Sequence, residues 1–156
     1  MPRLSILSLV IAAFLPLSAQ SPAPEQKPNT LAQNLVDQTL VKHSDIVILV
    51  FHVVSADKSD YPIIASNIGR YGKKADEDDL RVIKTGKPNL EVNATGNHFE
   101  VEMRFHDAAK KTIGAIAVVY NYKDGDDKEA LHQKAEKVRA EVEQRIPSLA
   151  KLMGPA

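Results

Sequence analysis

Hydrophobic residues follow two different periods along this chain, and each period predicts the element that its segment forms. From Thr30 to His43 the apolar positions recur every three or four residues, and Thr30 and Gln33 have the spacing of a capping box. A second stripe of this kind runs from Asp126 to Ile146, before a helix-breaking Pro147. The sequence therefore predicts a long helix near each end of one folded domain.

The segments between these helices have the patterns of β-strands. Ile46 to Val54 is almost continuously apolar and β-branched, as expected of a central strand covered on both faces. From His98 to Phe105 apolar and polar residues alternate, which predicts one buried and one polar face. The remaining predicted elements are three strands and one short helix: Tyr61 to Ala65, Leu90 to Ala94, Thr112 to Tyr122, and the helix Asp78 to Lys84.

This order of elements predicts the fold class. Helix, two strands, helix, three strands, helix is typical of an α+β domain with a five-stranded, largely antiparallel sheet flanked by N- and C-terminal helices. The short turn between His98 to Phe105 and Thr112 to Tyr122 predicts that these two strands pair as a hairpin.

The start of the chain has the pattern of a secretory signal peptide. Residues 1–20 combine one cation, a 14-residue apolar stretch and small residues near a cleavage site at Ala19 to Ser21, and the stretch is short for a membrane-spanning helix. Residues 21–29 hold three prolines and predict a flexible leader before a single domain at residues 30–150. We therefore expect a secreted or periplasmic protein without a membrane span after cleavage.

Composition excludes several functions. The chain has 20 basic and 20 acidic residues, so no excess of positive charge indicates binding to nucleic acid or to an anionic membrane. It has no cysteine, and its five histidines show no H-x-x-x-H pair, so neither a disulfide, a thiol nucleophile nor a zinc site is predicted. The motif G-x-S-x-G is also absent. We expect no enzyme activity and no cofactor, and the sequence does not tell whether the chain has a protein partner.

One polar segment contrasts with its apolar surroundings. SNIGRYGKKADEDD, Ser66 to Asp79, places two glycines, three cations and a run of four acidic residues directly after a predicted strand. Glycine allows backbone turns that a side chain would forbid. Solvation alone explains such a loop if Arg70, Lys73 and Lys74 are balanced by the acidic residues that follow. A loop that contacts a ligand is the other interpretation.

Several motifs between Asp45 and Tyr122 resemble the single Cache domain of the PDC type, the extracytoplasmic sensor fold of citrate and dicarboxylate receptor kinases. The resemblance lies in the order and spacing of four motifs: IIAS at Ile63 to Ser66, R-x-G at Arg70 and Gly72, Asp78-Asp79-Leu80 with Gly86, and FEVEMRFHDAAKKTIGAIAVV at Phe99 to Val119. It implies a PDC/PAS-like sheet. In that family the arginine of the corresponding motif holds a ligand carboxylate.

Carried over to this chain, the resemblance implies that Arg70, with Lys73 beside it, binds the ligand. An arginine fork matches a carboxylate with two hydrogen bonds, and a lysine adds a point charge. The chain departs from the pattern of dicarboxylate sensors at Glu100, where those receptors carry a second basic residue, and at Arg104, where a proline is common. A carboxylate at Glu100 would repel an anionic ligand.

The sequence leaves two functions open. The first is a stand-alone Cache-like module that binds a small molecule, with a carboxylate as the candidate, for sensing or scavenging. The second is a non-catalytic accessory or interaction domain without a ligand pocket. A concave cavity at Arg70 would favour the first function, and a sheet face filled by side chains would favour the second.

Overall fold

The computed structural model describes residues 25–156, so the predicted signal peptide and the first part of the predicted leader lie outside the described residues. The described chain has four helices and five strands: α1 (Leu31–Lys42), β1 (Ile46–Val53), β2 (Ile63–Ser66), α2 (Glu77–Thr85), β3 (Asn89–Val92), β4 (His98–His106), β5 (Thr112–Asn121), α3 (Lys128–Glu143) and α4 (Leu149–Met153). The predicted α+β class is confirmed.

The five strands form one antiparallel sheet in the order β2-β1-β5-β4-β3. The predicted hairpin of β4 and β5 is confirmed, with Val101 opposite Val118 in its middle. Strand β1 is paired on both sides, but the middle strand of the sheet is β5 and not β1 as predicted. The reason is that β5 returns between β1 and β4, so its interior positions are all buried. Strands β1 and β5 are both almost wholly apolar, so hydrophobicity alone does not show which of them is the middle strand.

One face of the sheet carries the hydrophobic core. The alternating residues of β4 that the sequence predicts to be inward, Phe99, Val101, Met103 and Phe105, are all buried there. Helices α1, α3 and α4 contribute apolar side chains to the same cluster. The two ends of the domain meet, since the Leu31 N–H donates to the Gly154 carbonyl at 3.0 Å and the Leu152 side chain is buried in the core.

Helices α2 and α3 have other bounds than the sequence predicts. Helix α2 begins at Glu77, because the Asp76 side chain accepts from the Asp78 and Asp79 N–H groups and the Asp79 carboxylate accepts from the Asp76 N–H. The C-terminal helix ends at Glu143 and not at Ile146, and α4 follows Pro147 as a separate element. Proline removes a donor and fixes φ, so the chain breaks before it and restarts at a new N-cap, Ser148.

The second face of the sheet is covered by α2 and by residues 67–76. The sequence pattern predicts that the polar residues of β4 form a polar face, but Glu102 on this face is only 4% exposed because α2 lies over it. Arg104 connects the two layers. Its Nε donates to the Ile83 carbonyl and its Nη2 to the Lys84 carbonyl, both at 2.8 Å, at the C-terminal end of α2.

Arg104→Met is expected to lower the free energy of unfolding by about 1 kcal/mol, because two α2 carbonyls lose a charged donor at the negative end of the helix dipole. The measurement is urea denaturation of the variant against wild type. Lys84→Met is the control, since Lys84 is an exposed cation of α2 that makes no such contact within residues 25–156. Equal losses in both variants would contradict the anchoring role of Arg104.

None of the helices among residues 25–156 combines the length and the apolar character that crossing a membrane requires.

Candidate functional site

A cavity of about 230 Å³ lies between the second face of the sheet, α2 and residues 67–76. Its apolar wall comes from Ile48, Val50, Ala117 and Val119, which follow one another on β1 and β5. Its polar lining includes both basic residues predicted from the sequence, Arg70 and Lys73, together with six acidic residues: Asp76, Asp78, Asp79, Glu91, Glu100 and Glu102. The cavity is therefore a polar, predominantly acidic site with one apolar wall.

The loop that carries Arg70 is held by backbone geometry and by α1. Gly69, Arg70 and Gly72 have φ values of 70°, 63° and 80°, a left-handed turn that glycine adopts without strain and arginine rarely adopts. The Tyr71 hydroxyl lies within hydrogen-bond distance of the Gln33 Oε1 and of the Ser66 carbonyl. These contacts place the loop at the edge of the cavity and present Arg70 on its outer side.

Both predicted ligand residues line the cavity and remain exposed. The Arg70 and Lys73 side chains make no hydrogen bond or ion pair with the rest of residues 25–156, whereas the neighbouring Lys74 pairs with Asp60 at 3.0 Å. The solvated-loop interpretation predicts that the acidic residues of α2 neutralise Arg70. Among the described residues none of these acids forms an ion pair with Arg70, whose backbone N–H donates to the Glu25 carboxylate at 2.6 Å, while the charge of Lys73 acts on Asp79 and Glu100.

Acidic residues occupy adjacent positions on the floor of the cavity. In the β3–β4 ladder Glu91 lies opposite Glu100 and Asn89 lies opposite Glu102. Like charges directly opposite each other on neighbouring strands are destabilising. Within residues 25–156 no ion pair involves any of these three glutamates, although many other acidic side chains of the described chain are paired.

The deepest polar groups are His52, Asp79 and Glu102, which are 6%, 7% and 4% exposed. The His52 Nδ1 lies 2.9 Å from the Tyr61 carbonyl, which can only accept, so this nitrogen carries a hydrogen. Its Nε2 lies 3.6 Å from the Asp79 Oδ2. The Glu102 Oε1 is buried without a hydrogen-bond partner among the described residues.

The two buried carboxyl groups have opposite pKa shifts. Burial, the contact with Asp79 and the charges of Asp79, Glu100 and Asp76 raise the pKa of Glu102 to about 10. Burial alone would also raise the pKa of Asp79, but the hydrogen bond from Glu102, the Asp76 N–H and the charge of His52 together lower it. At neutral pH the pair therefore consists of a protonated Glu102 beside an ionised Asp79.

The pKa of Glu100 is also raised. Burial is the largest cause, and the charges of Glu91, Asp79 and Asp76 act in the same direction. Glu100 is the position where the family resemblance leads one to expect a basic residue. The structure places it in the cavity as part of the acidic floor.

Sequence reasoning missed Asp79 and Glu102 as site residues. It predicted a polar face for β4 and treated the acidic residues after the loop only as a balance for its cations, but α2 and β4 bury Asp79 and Glu102 against each other. The polar alternation of β4 was the available signal, but it does not reveal that another element covers the polar face. His52 is a buried histidine that is hydrogen-bonded to the Tyr61 carbonyl, and it also lines the cavity.

The sequence predicts no zinc site at the histidines. Within the part of the chain that the structure describes, no three His, Asp or Glu side chains converge in a way that could hold a metal ion. His106 bonds to the buried Glu143 of α3 at 2.8 Å, so it has a structural partner.

Comparison with known proteins leaves the family open. No family model matches the chain, and no curated protein sequence matches it. Among solved structures the chain is similar to the second GAF domain of DevS from Mycobacterium smegmatis, with 10% sequence identity, a TM-score of 0.46, and coverage of 72% of this chain and 90% of that one.

Proposed function

We propose that this chain is a small-molecule-binding domain of the single Cache type, exported from the cytoplasm, whose ligand occupies the cavity between α2, residues 67–76 and the sheet. The observation that carries the proposal is the cavity itself, about 230 Å³ in volume, with an apolar wall and polar groups directed at one space. Concave sites of this composition are the usual form of small-molecule sites. The proposed role is binding for sensing or scavenging.

In this proposal Arg70 and Lys73 bind a carboxylate of the ligand at the outer side of the cavity. Both side chains line the cavity and have no partner within residues 25–156. A guanidinium that forms no ion pair can give its paired N–H groups to a ligand.

The alternative is an accessory domain whose sheet face is filled by side chains. The space beneath α2 argues against it, because Ala117 in the middle of this face has a short side chain and leaves room above the sheet. The cavity thus supports the binding proposal over the accessory one.

Arg70→Ala is expected to abolish the stabilisation that a small carboxylate gives the protein, while unliganded stability changes little because the Arg70 side chain has no partner to lose among the described residues and its backbone N–H, which donates to Glu25, remains. The measurement is a thermal-shift panel of carboxylic and amino acids on both forms. A ligand at about 100 times its Kd stabilises a protein by about 2.7 kcal/mol, which such a panel detects.

Lys87→Ala is the matched control, since it removes an exposed cation that does not line the cavity. A wild-type protein that responds to no compound, together with an Arg70→Ala variant that melts markedly lower, would contradict the proposal. Arg70 would then be a structural residue, and the accessory-domain function would be favoured.

A further inference from the structure

Glu102 has a feature that neither folding nor a carboxylate ligand explains. Its side chain is 4% exposed and lines the cavity, and apart from the hydrogen bond between its carboxyl group and Asp79, its Oε1 has no hydrogen-bond partner among the described residues. A buried polar atom left without a partner destabilises a fold, so native structures rarely keep one. An oxygen of this kind in the wall of a cavity is a position for a donor from a ligand.

The surroundings of Glu102 specify the charge of that donor. Glu91 and Glu100 face each other across the β3–β4 ladder, two residue pairs along from Glu102, and no cation within residues 25–156 forms an ion pair with either, although the charge of Lys73 acts on Glu100. Asp79 approaches from α2 with its charge retained. An anion at this end of the cavity would meet four carboxyl groups, whereas a cation would relieve their mutual repulsion.

The apolar wall of the cavity next to Glu102 indicates the chemical character of the rest of the ligand. Ala117 lies opposite Glu102 on β5, and Val50 follows on β1, so the row beside the carboxyl group is apolar. Ile48 and Val119 continue this wall beside Glu100. A short aliphatic chain fits against these side chains while its polar end lies at Glu102.

From this geometry we infer that the ligand carries an organic cation, an ammonium or guanidinium group on a short aliphatic body, which binds against the carboxyl group of Glu102. The inference rests on the proposed function and adds the chemical class of the ligand's buried end. Arg70 and Lys73 are exposed at the other side of the cavity, so a carboxylate on the same ligand is compatible with it but not required.

Binding of such a cation is linked to a proton. Without ligand Glu102 retains its proton, because burial and the neighbouring acids raise its pKa. The charged and titratable groups that line the cavity around it are His52 on β1, Arg70 and Lys73 in the loop, Asp76, Asp78 and Asp79 at the start of α2, Glu91 on β3 and Glu100 on β4. A bound cation favours the Glu102 carboxylate, so binding releases the proton and strengthens as the pH rises.

The experiment uses three compounds with one carbon skeleton: n-butylamine, n-butanol and butyrate. Each is titrated into the ¹⁵N-labelled chain, and Kd is obtained from the amide shifts of residues that line the cavity. We expect butylammonium to bind with a Kd at least about tenfold lower than that of butanol or butyrate, as a charge-assisted contact in a buried site requires. Between pH 6 and pH 8, where the amine stays charged, its affinity should rise by up to about tenfold per pH unit.

Glu102→Gln provides the decisive variant. Glutamine has the shape of the protonated side chain and can still donate to Asp79, so the unliganded fold is retained, but it cannot become a carboxylate. We expect butylammonium affinity to fall about tenfold or more and its pH dependence to disappear. Glu77→Gln is the matched control, because Glu77 is an exposed acid of α2 that does not line the cavity, and its binding curves should match wild type.

Three results would overturn the inference. If butyrate binds in the cavity and butylammonium does not, the domain is a small-molecule binder for anions, and the proposed function stands without the cation. If no member of the series and no compound of the carboxylic- and amino-acid panel binds, the inference and the proposed function both fail. Equal loss of butylammonium affinity in Glu102→Gln and Glu77→Gln would also overturn it, since long-range charge would then explain binding.

Discussion

Val138→Asp is expected to lower the free energy of unfolding by about 3 to 5 kcal/mol, because it buries a charge that has no partner. Val138 is 2% exposed and lies on the side of α3 that packs into the main hydrophobic cluster. Its neighbours in that cluster are apolar side chains of the sheet and of α1, none of which can solvate a carboxylate. Equilibrium denaturation of variant and wild type in urea measures the loss.

Gln133→Asp is the control for this variant, since it adds the same charge at an exposed position of the same helix. It is expected to change stability by about 0.5 kcal/mol or less, as surface substitutions usually do. Equal stability of Val138→Asp and wild type would mean that α3 is peripheral to the fold. That outcome would contradict the packing of α3 on β4 and β5, the strands that form the floor of the cavity.

Glu102→Gln is expected to stabilise the unliganded protein by about 1 to 3 kcal/mol at pH 9 and to have little effect at pH 4. The folded chain keeps a proton on Glu102, whose pKa is raised to about 10, while the unfolded chain releases it above the ordinary value of 4.5. The wild-type protein therefore loses stability from this group as the pH rises from 4.5 towards 10. Glutamine needs no proton to stay neutral, and the loss disappears.

The measurement is the difference in unfolding free energy between variant and wild type at several pH values, which cancels the contributions of groups that both proteins share. Glu77→Gln, exposed and outside the cavity, should give a difference that does not grow above pH 5. A Glu102→Gln difference that is independent of pH would show that Glu102 ionises normally in the folded protein. That result would contradict the assignment of a protonated Glu102 beside an ionised Asp79.

The order of elements could be predicted because it depends on local patterns. The alternation of Phe99 to Phe105 and the stripe of α3 show that one side of each element is buried. These patterns are the same whichever element packs against that side. The identity of the middle strand could not be predicted in the same way, since β1 and β5 are both almost wholly apolar. Their places depend on which strand returns between the others.

The candidate site was predicted in part. The glycines and cations around Arg70 indicated a loop that binds a ligand, and the structure places Arg70 and Lys73 in the lining of the cavity. Whether either contacts a ligand stays a prediction. Asp79 was interpreted only as part of an acidic helix start, because its second partner, Glu102, is 23 positions away in the sequence.

The sequence by itself determined the α+β class, the hairpin of β4 and β5, and the loop that presents Arg70. These follow from hydrophobic period, capping residues and glycine conformation, which act over a few neighbouring residues. Only the tertiary structure decided the character of the site, because α2 covers the polar face of β4 and brings Asp79 onto Glu102. A carboxyl group has its ordinary chemistry on an open strand. Desolvation and the charge of a residue far away in the sequence change the pKa of that group, and both depend on how the layers pack.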